Sequence, residues 1–444
     1  MNYVGTARPI HDAKGKATGY TKYAGDLSLP NMAYLCMLHS KIPHGYVKAV
    51  HAEKALALPG VYGVYHCLNT SDRKYNRYRS SFNQAYLANE ERAFNQYVRF
   101  VGDKIGVVAA CDQETAERAA RLVEVEYEEL PFSIGFDDTL AGKNCLEGET
   151  PVRDEYTLEV GKKQESTEGL IEVCSTMELP RLHHATMETH ACIADYDPYS
   201  DMLTVYCPNQ AVHGIRTVLA DFLEMPESHV RVVKATMGGS FGAKQEWFLE
   251  PVTALVAKKL CRPVKLVYSR GEAMTDTIVR GAMRMSARGY YTPDGEMKEI
   301  YCDVTLDAGA YIGNAGDYVR ALAGKPTRCY RIPYMHYHGQ VISSNSPVSG
   351  AFRSWSAAEE ALMMERQLDA AAEKLGMDRL AIRLKNVARS GEEDKKLHLS
   401  LEDIRIGDAI TLGSEKFGWD KLKAEDAAFN ASQQRYRRGV GIGI

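Results

Sequence analysis

The sequence predicts a mixed α/β fold of the α+β class, and three observations point to it. Short apolar runs of strand length alternate with helical segments along most of the 444 residues. Hydrophobic residues are 45% and charged residues 25%, which is ordinary for a folded chain that buries a large core. Lys and Arg number 54 against 58 Asp and Glu, a net charge of −4, so no basic surplus favours a nucleic-acid partner.

The elements follow in order. Ala33 to Leu38 is an apolar run, and Ala49 to Leu58 is expected to be a helix stopped by Pro59-Gly60. Val61 to Tyr65 and Lys104 to Ala110 read as strands, the second fully buried. Asp112 is a candidate N-cap for a helix with Ala116, Ala119 and Ala120 on its apolar face. Val123 to Tyr127 alternates like a half-buried strand. The first α/β unit thus spans residues 1–132, and the polar, weakly patterned stretch 133–168 is expected to be a linker. A second unit, 169–395, holds strands at Leu203 to Tyr206, Val230 to Val233, Val264 to Tyr268 and Ile300 to Leu306. Its helices include a periodic segment from Val212 to Leu223, a stretch around Trp247 to Leu260, and Ala357 to Leu375 with Gly376 at the C-cap position. Residues 396–444 begin a further unit and close on a glycine-interrupted run, Gly439 to Ile444, that resembles the start of a strand.

Ten cysteines are scattered, with no Cys-x-x-Cys pair, so zinc-ribbon and thioredoxin-type sites are not expected and reduced thiols are. Residues 1–20 have no apolar core of a signal peptide, and no apolar run reaches bilayer-spanning length. A cytoplasmic chain with no membrane and no nucleic-acid partner is the expectation.

Three segments could carry chemistry. Thr236-Met237-Gly238-Gly239-Ser240-Phe241-Gly242-Ala243-Lys244-Gln245 follows a strand and fits neither the Walker nor the Rossmann spacing. Its small residues would let backbone N–H groups cradle an oxyanion, a phosphate or a metal-oxo group, or simply make a tight turn. Leu182 to His190 clusters histidines with Glu188. On a strand, His184, Glu188 and His190 share a face, which admits a zinc site or core histidines. Arg320 and Arg353 sit among small and aromatic residues. Arg353 could donate to an anion or a planar ligand, and Trp355 could stack on a flat ring, or the two could be a surface arginine and a core tryptophan.

Taken in order, these segments resemble the molybdenum-binding subunit of the xanthine dehydrogenase and aldehyde oxidase family. The resemblance rests on Lys14 to Gly19, Tyr23-Ala24-Gly25-Asp26, Leu58-Pro59-Gly60-Val61, His184 to His190, Met237 to Gln245, Asp307 to Tyr311 and Ala351-Phe352-Arg353. It implies an α/β hammerhead domain over 1–132, a first molybdopterin-binding domain over 169–395 and a truncated second one from 396. It also implies a molybdopterin cofactor, with molybdenum held through the pterin and by no side chain directly. Oxidative hydroxylation of a purine, another N-heterocycle or an aldehyde would follow, with electrons passed to 2Fe-2S and FAD partner subunits.

Residue by residue, the resemblance places Gly239, Phe241, Gly242 and Arg353 at the cofactor. It places Arg320 and Gln245 at the substrate, Arg320 stabilising developing charge, and makes Trp355 the stacking aromatic. Gln245 stands where xanthine oxidisers of the vertebrate type have a substrate-binding Glu, and Leu182 where many members have a Gln. The general-base glutamate of the family lies in a domain beyond residue 444, so the isolated chain is expected to be inactive. The alternatives are a non-catalytic homologue serving binding or assembly and, more remotely, a zinc hydrolase built on His184, Glu188 and His190.

Overall fold

A computed structural model describes residues 3–78, 89–144, 146, 150–432 and 435–444. In chain order the strands are β1 (Ala33–His39), β2 (Gly45–His51), β3 (Val61–His66), β4 (Tyr97–Val98), β5 (Lys104–Ala110), β6 (Glu124–Glu129), β7 (Val152–Gly161), β8 (Ile171–Leu179), β9 (Ala191–Asp197), β10 (Met202–Cys207), β11 (Val230–Lys234), β12 (Val264–Val267), β13 (Ala282–Tyr291), β14 (Met297–Asp307), β15 (Tyr334–Ile342), β16 (Glu392–Asp394) and β17 (Leu399–Leu401). They form a seven-stranded sheet in the order β11-β10-β9-β12-β1-β5-β3, a five-stranded sheet β7-β15-β14-β13-β8, a three-stranded sheet β4-β2-β6 and the pair β16-β17.

The apolar runs explain the large sheets. Every residue of β5 is buried, as a continuous Ile, Val and Ala run requires in a sheet covered on both faces. Helices Val212–Leu223 and Glu250–Leu260 cover the seven-stranded sheet with Ile215, Leu219, Val252 and Val256, against Leu35, Val107, Val205 and Leu266. The 19-residue helix Ala357–Leu375 lays Met363, Met364 and Leu368 on Met285, Ile300 and Val304 of the five-stranded sheet. Each such buried side chain contributes about 1.5–3 kcal/mol relative to exposure. Asp112 caps helix Gln113–Ala120, its carboxylate accepting from Thr115 N–H at 2.7 Å. Gly376, at φ +65°, ends the long helix.

Several expectations are corrected. Ala49 to Leu58 is the end of β2 followed by a four-residue helix, Glu53–Leu56, because the segment pairs with β6 (Val50↔Val125) instead of coiling. The stretch 133–168 is no plain linker. It contains helix Phe136–Leu140 and the ten-residue β7, which pairs antiparallel with β15 (Tyr337↔Leu158). Nor does residue 132 mark a break between sheets, since β1 pairs in parallel with β12 (Ala33↔Val264, Leu35↔Leu266). The helix after the glycine loop begins only at Glu250. Residues 396–444 hold β17 and helices Ile406–Phe417 and Trp419–Ser432. The Gly439–Ile444 run forms no strand, and Ile442 and Ile444 pack against the core of the five-stranded sheet.

Candidate functional site

The glycine loop leaves β11 and crosses to helix Glu250–Leu260. Gly239 and Gly242 both adopt φ +104°, and Phe241 between them is left-handed at φ +55°. A left-handed Phe is costly, on the order of 1–3 kcal/mol, and such strain gathers at functional sites. Among the described residues, the N–H groups of Gly239, Ser240 and Phe241 have no protein acceptor. Three successive amides are thereby available to an external anion or oxo group. Phe241 is 50% exposed, so the loop is a rim and not the buried strip that burial in a cleft would make it. The Gly242 N–H is turned onto the Ser240 hydroxyl at 3.3 Å.

A second segment abuts this rim. A Cβ added at Gly242 would overlap the Ala351 carbonyl oxygen, so the loop and the Ala351–Arg353 segment touch backbone to backbone. His184 Nε2–H donates to that same Ala351 oxygen at 2.8 Å, and its ring stacks on Phe352 with centroids 4.3 Å apart. The Arg280 guanidinium lies 4.1 Å above the other partner of that stack, Phe352, and donates to the Arg353 carbonyl at 3.1 Å. Arg353 itself has an exposed side chain beside the loop.

The histidine segment is not a strand. Ala185 is left-handed at φ +48°, and regular pairing starts only at Ala191, so the face predicted from strand spacing does not exist. His190 Nε2–H donates to the Ala243 carbonyl at 3.0 Å. Burial holds both His184 and His190 down near a pKa of about 4, so both are neutral struts at pH 7. Glu188 Oε2 accepts from the Gly238 N–H at 2.7 Å and from Lys244 Nζ at 2.6 Å. Lys244 is almost fully buried, and desolvation lowers its pKa against the opposing pull of Glu188. The zinc reading therefore fails: these side chains are committed to the loop, and among the described residues no three His, Cys, Asp or Glu groups could hold a metal.

Trp355 is half-buried, tilted against Tyr318 at 5.2 Å and stacked with Tyr78 at 6.4 Å. Ser354, Trp355 and Ser356 are all left-handed, at φ +85°, +37° and +65°. Lys325 Nζ stabilises that run by donating to Ser356 Oγ at 2.7 Å and to the Trp355 carbonyl. Gln245 is half-buried, and its side-chain amide has no protein partner among the described residues. Arg320 lies on helix Ala315–Leu322, where its guanidinium makes a two-point ion pair with Asp154 of β7 (Nη2 to Oδ1, 2.9 Å) and donates to the Gly316 carbonyl at 3.0 Å. Among the described residues no hydrogen bond joins Arg320 to the loop.

The structure thus brings together Gly239, Phe241, Gly242 and Arg353, and leaves Arg320 anchored to a separate strand. Sequence reasoning did not find the Glu188–Lys244 clamp, Lys325 or Asp154, whose partners lie 30 to 166 positions away. A cavity of about 1070 Å³ opens elsewhere, lined by Tyr34, Gln113, Tyr127, Tyr268 and Glu272, with no loop residue in its wall.

Two family descriptions match this chain. The molybdopterin cofactor-binding domain covers residues 149–387, and the aldehyde oxidase and xanthine dehydrogenase a/b hammerhead domain covers residues 18–131. The chain belongs to this family of molybdopterin-binding subunits. It is 30% identical over 446 residues to the xanthine dehydrogenase molybdenum-binding subunit of Escherichia coli O157:H7, covering 97% of this chain and 58% of that protein. It is 30% identical over 384 residues to the nicotinate dehydrogenase large molybdopterin subunit of Eubacterium barkeri, covering 86% of this chain and 88% of that one. Quinoline 2-oxidoreductase from Pseudomonas putida 86 shares the fold, with a TM-score of 0.89 at 23% identity over 96% of this chain and 56% of that chain. The chain therefore spans little more than half of the E. coli relative's length.

The cofactor of the family is molybdopterin. The residues present fit it: the loop that carries three amides without acceptors meets the Ala351–Phe352 backbone at Gly242 too closely for any side chain but hydrogen, and the exposed Arg353 follows directly. Among the described residues, no helix is long and apolar enough to cross a membrane.

Proposed function

We propose that this chain forms one wall of the active site of a molybdenum hydroxylase that oxidises an electron-poor N-heterocycle, purines being the first class to test. When bound, the molybdenum centre supplies the oxidation and the oxygen transfer, and the protein's part is binding and orientation. The observation that carries the reading is the backbone contact of Gly242 with Ala351–Phe352, next to the Gly239, Ser240 and Phe241 amides that have no protein acceptor among the described residues. In it, Gly239, Phe241 and Gly242 face the cofactor and Arg353 binds its anionic part with charge-assisted hydrogen bonds. Gln245 offers the substrate both a donor and an acceptor, and Trp355 offers a ring face. Arg320 stabilises negative charge that builds on the heterocycle, with Asp154 fixing the plane of its guanidinium.

Iron–sulfur and FAD polypeptides would receive the electrons. The portion of the longer relatives outside this match would supply the remaining wall and the base. The cytoplasm is the proposed location. Two relatives' printed names, a xanthine dehydrogenase and a nicotinate dehydrogenase, support an N-heterocycle, whereas another relative is named a carbon monoxide dehydrogenase.

The test is to assemble the enzyme with its full set of subunits and assay dye-linked oxidation of hypoxanthine, xanthine and nicotinate, with molybdenum and pterin content measured on the same samples. Arg320→Met is expected to lower kcat/KM at least about a hundredfold while pterin content holds. Equal loss of both would make Arg320 structural. A molybdenum-free enzyme that still turned over would end the reading.

A further inference from the structure

Glu246 follows the glycine loop directly and is 1% exposed. Its carboxyl touches two segments that are distant in sequence. Oε1 accepts from Asn314 Nδ2 at 2.9 Å, and Asn314 is the N-cap of the helix that carries Arg320. The same oxygen sits where a Cβ on Gly350 would come within 2.5 Å, so residue 350 is glycine because the carboxyl lies on it. The other carboxyl oxygen, Oε2, is buried and has no hydrogen-bond partner among the described residues. Meanwhile the Glu246 carbonyl accepts from Asn209 Nδ2 at 2.8 Å, which fixes its own backbone. Nothing in the proposed chemistry uses this group, and a buried carboxyl kept without a salt-bridge partner of its own is expensive.

We infer that Glu246 is a positioning residue that binds the glycine loop, the Gly350–Arg353 segment and the Arg320 helix into one unit. It thereby fixes the spacing between the cofactor-facing and substrate-facing residues. The inference rests on the preceding reading only in naming which residues face cofactor and substrate. The bridge itself is a property of this chain. Gln245 is bonded to Glu246 covalently, Arg353 lies three residues past Gly350, and Arg320 lies six past Asn314, so one side chain sets three positions at once. Burial pushes the carboxyl up to about 8, so it is protonated at neutral pH, and glutamine is its matched replacement in shape and charge.

The test uses amide hydrogen exchange on the 444-residue chain, comparing wild type with Glu246→Gln, Glu246→Ala, Asn314→Ala and the Glu246→Ala/Asn314→Ala double variant. Glu246→Ala is expected to speed exchange about tenfold or more at both the Gly350 amide, which donates to the Val279 carbonyl, and the first turn of helix Ala315–Leu322, two sites far from residue 246 in sequence. Asn314→Ala should reproduce the helix effect alone, and the double variant should add nothing to it there. Glu246→Gln should leave both sites protected. Unchanged exchange in Glu246→Ala would overturn the inference, as would a Gln variant as fast as the Ala one or fully additive Ala effects at the helix. If Glu246→Ala does not fold, the Asn314→Ala and Glu246→Gln comparisons decide the matter. Pterin content of the assembled enzyme is measured separately. Coupled exchange without pterin in the wild type would sink the functional reading and leave the bridge standing. Full pterin with uncoupled exchange would do the reverse.

Discussion

The glycine-loop side and the Arg320 side of the site solve opposite problems. Arg320 is satisfied inside the chain: its guanidinium is matched edge to edge by Asp154 and held again by the Gly316 carbonyl. The loop is held just as firmly from behind, by Glu188, Lys244 and His190, yet its front leaves three amides without acceptors and Phe241 half exposed. A region that is rigid at the back and unsatisfied at the front is preorganised for something that is not protein. A region satisfied on its own terms is a support or a guide. The difference sets the loop side apart as the proposed cofactor face, and that contrast is open to attack from several directions.

The largest expected effect comes from the back of the loop. Lys244→Met leaves the partly buried Glu188 beside the Gly238 amide without the cation it pairs with. Breaking such a pair costs about 3 kcal/mol or more, read as a fall in the urea midpoint at an unchanged m-value. The double variant Lys244→Met/Glu188→Gln should recover part of that loss, because no charge is then stranded. If the single variant were neutral, the loop would not be clamped as described.

A pH series separates the groups next. Desolvation raises Glu246 to about 8 from 4.5, with Arg77 pulling down and Glu91 pushing up. The folded state therefore holds this proton more tightly than the unfolded chain does. That stability is full below about 4.5 and is lost as pH rises through 8. His184 and His190, depressed to about 4, act in the other direction. Their contribution is present above about 6.5 and is lost as pH falls through 4. The stability advantage of wild type over Glu246→Gln should thus shrink steadily between pH 5 and 8 in thermal melts. A pH-independent difference would mean that Glu246 does not titrate as a buried acid.

A smaller change is expected on the other side. Asp154→Asn keeps the shape and removes the charge, and this partly buried pair is worth about 1–2 kcal/mol. It should raise KM or lower kcat through Arg320 while leaving pterin content alone. A loss of pterin in this variant would erase the contrast between the two sides.

The same contrast explains what could be read from the sequence. The strand Lys104–Ala110 and the helix Ala357–Leu375 were legible residue for residue, because a continuous apolar run and a 3.6-residue period are local signals. The loop and Arg353 were legible as motifs. Strand β7 was not, since its acidic outer residues hide the alternation of Tyr156, Leu158 and Val160 along a sheet edge. The parallel pairing of β1 with β12 joins residues some 230 positions apart and leaves no local trace. The Glu188–Lys244 clamp and the Glu246 bridge escaped for that reason too. A buried charge looks like a surface charge until its partner is known.

The most direct measurement is the pterin and molybdenum content of the assembled enzyme carrying Arg353→Met, beside its thermal midpoint. Arg353 is exposed in this chain, so its loss should leave the midpoint where it was. Removing one charge-assisted contact should lower cofactor retention about tenfold or more. A full complement of pterin in Arg353→Met would contradict the claim that the face shared by Gly239, Phe241, Gly242 and Arg353 holds the cofactor.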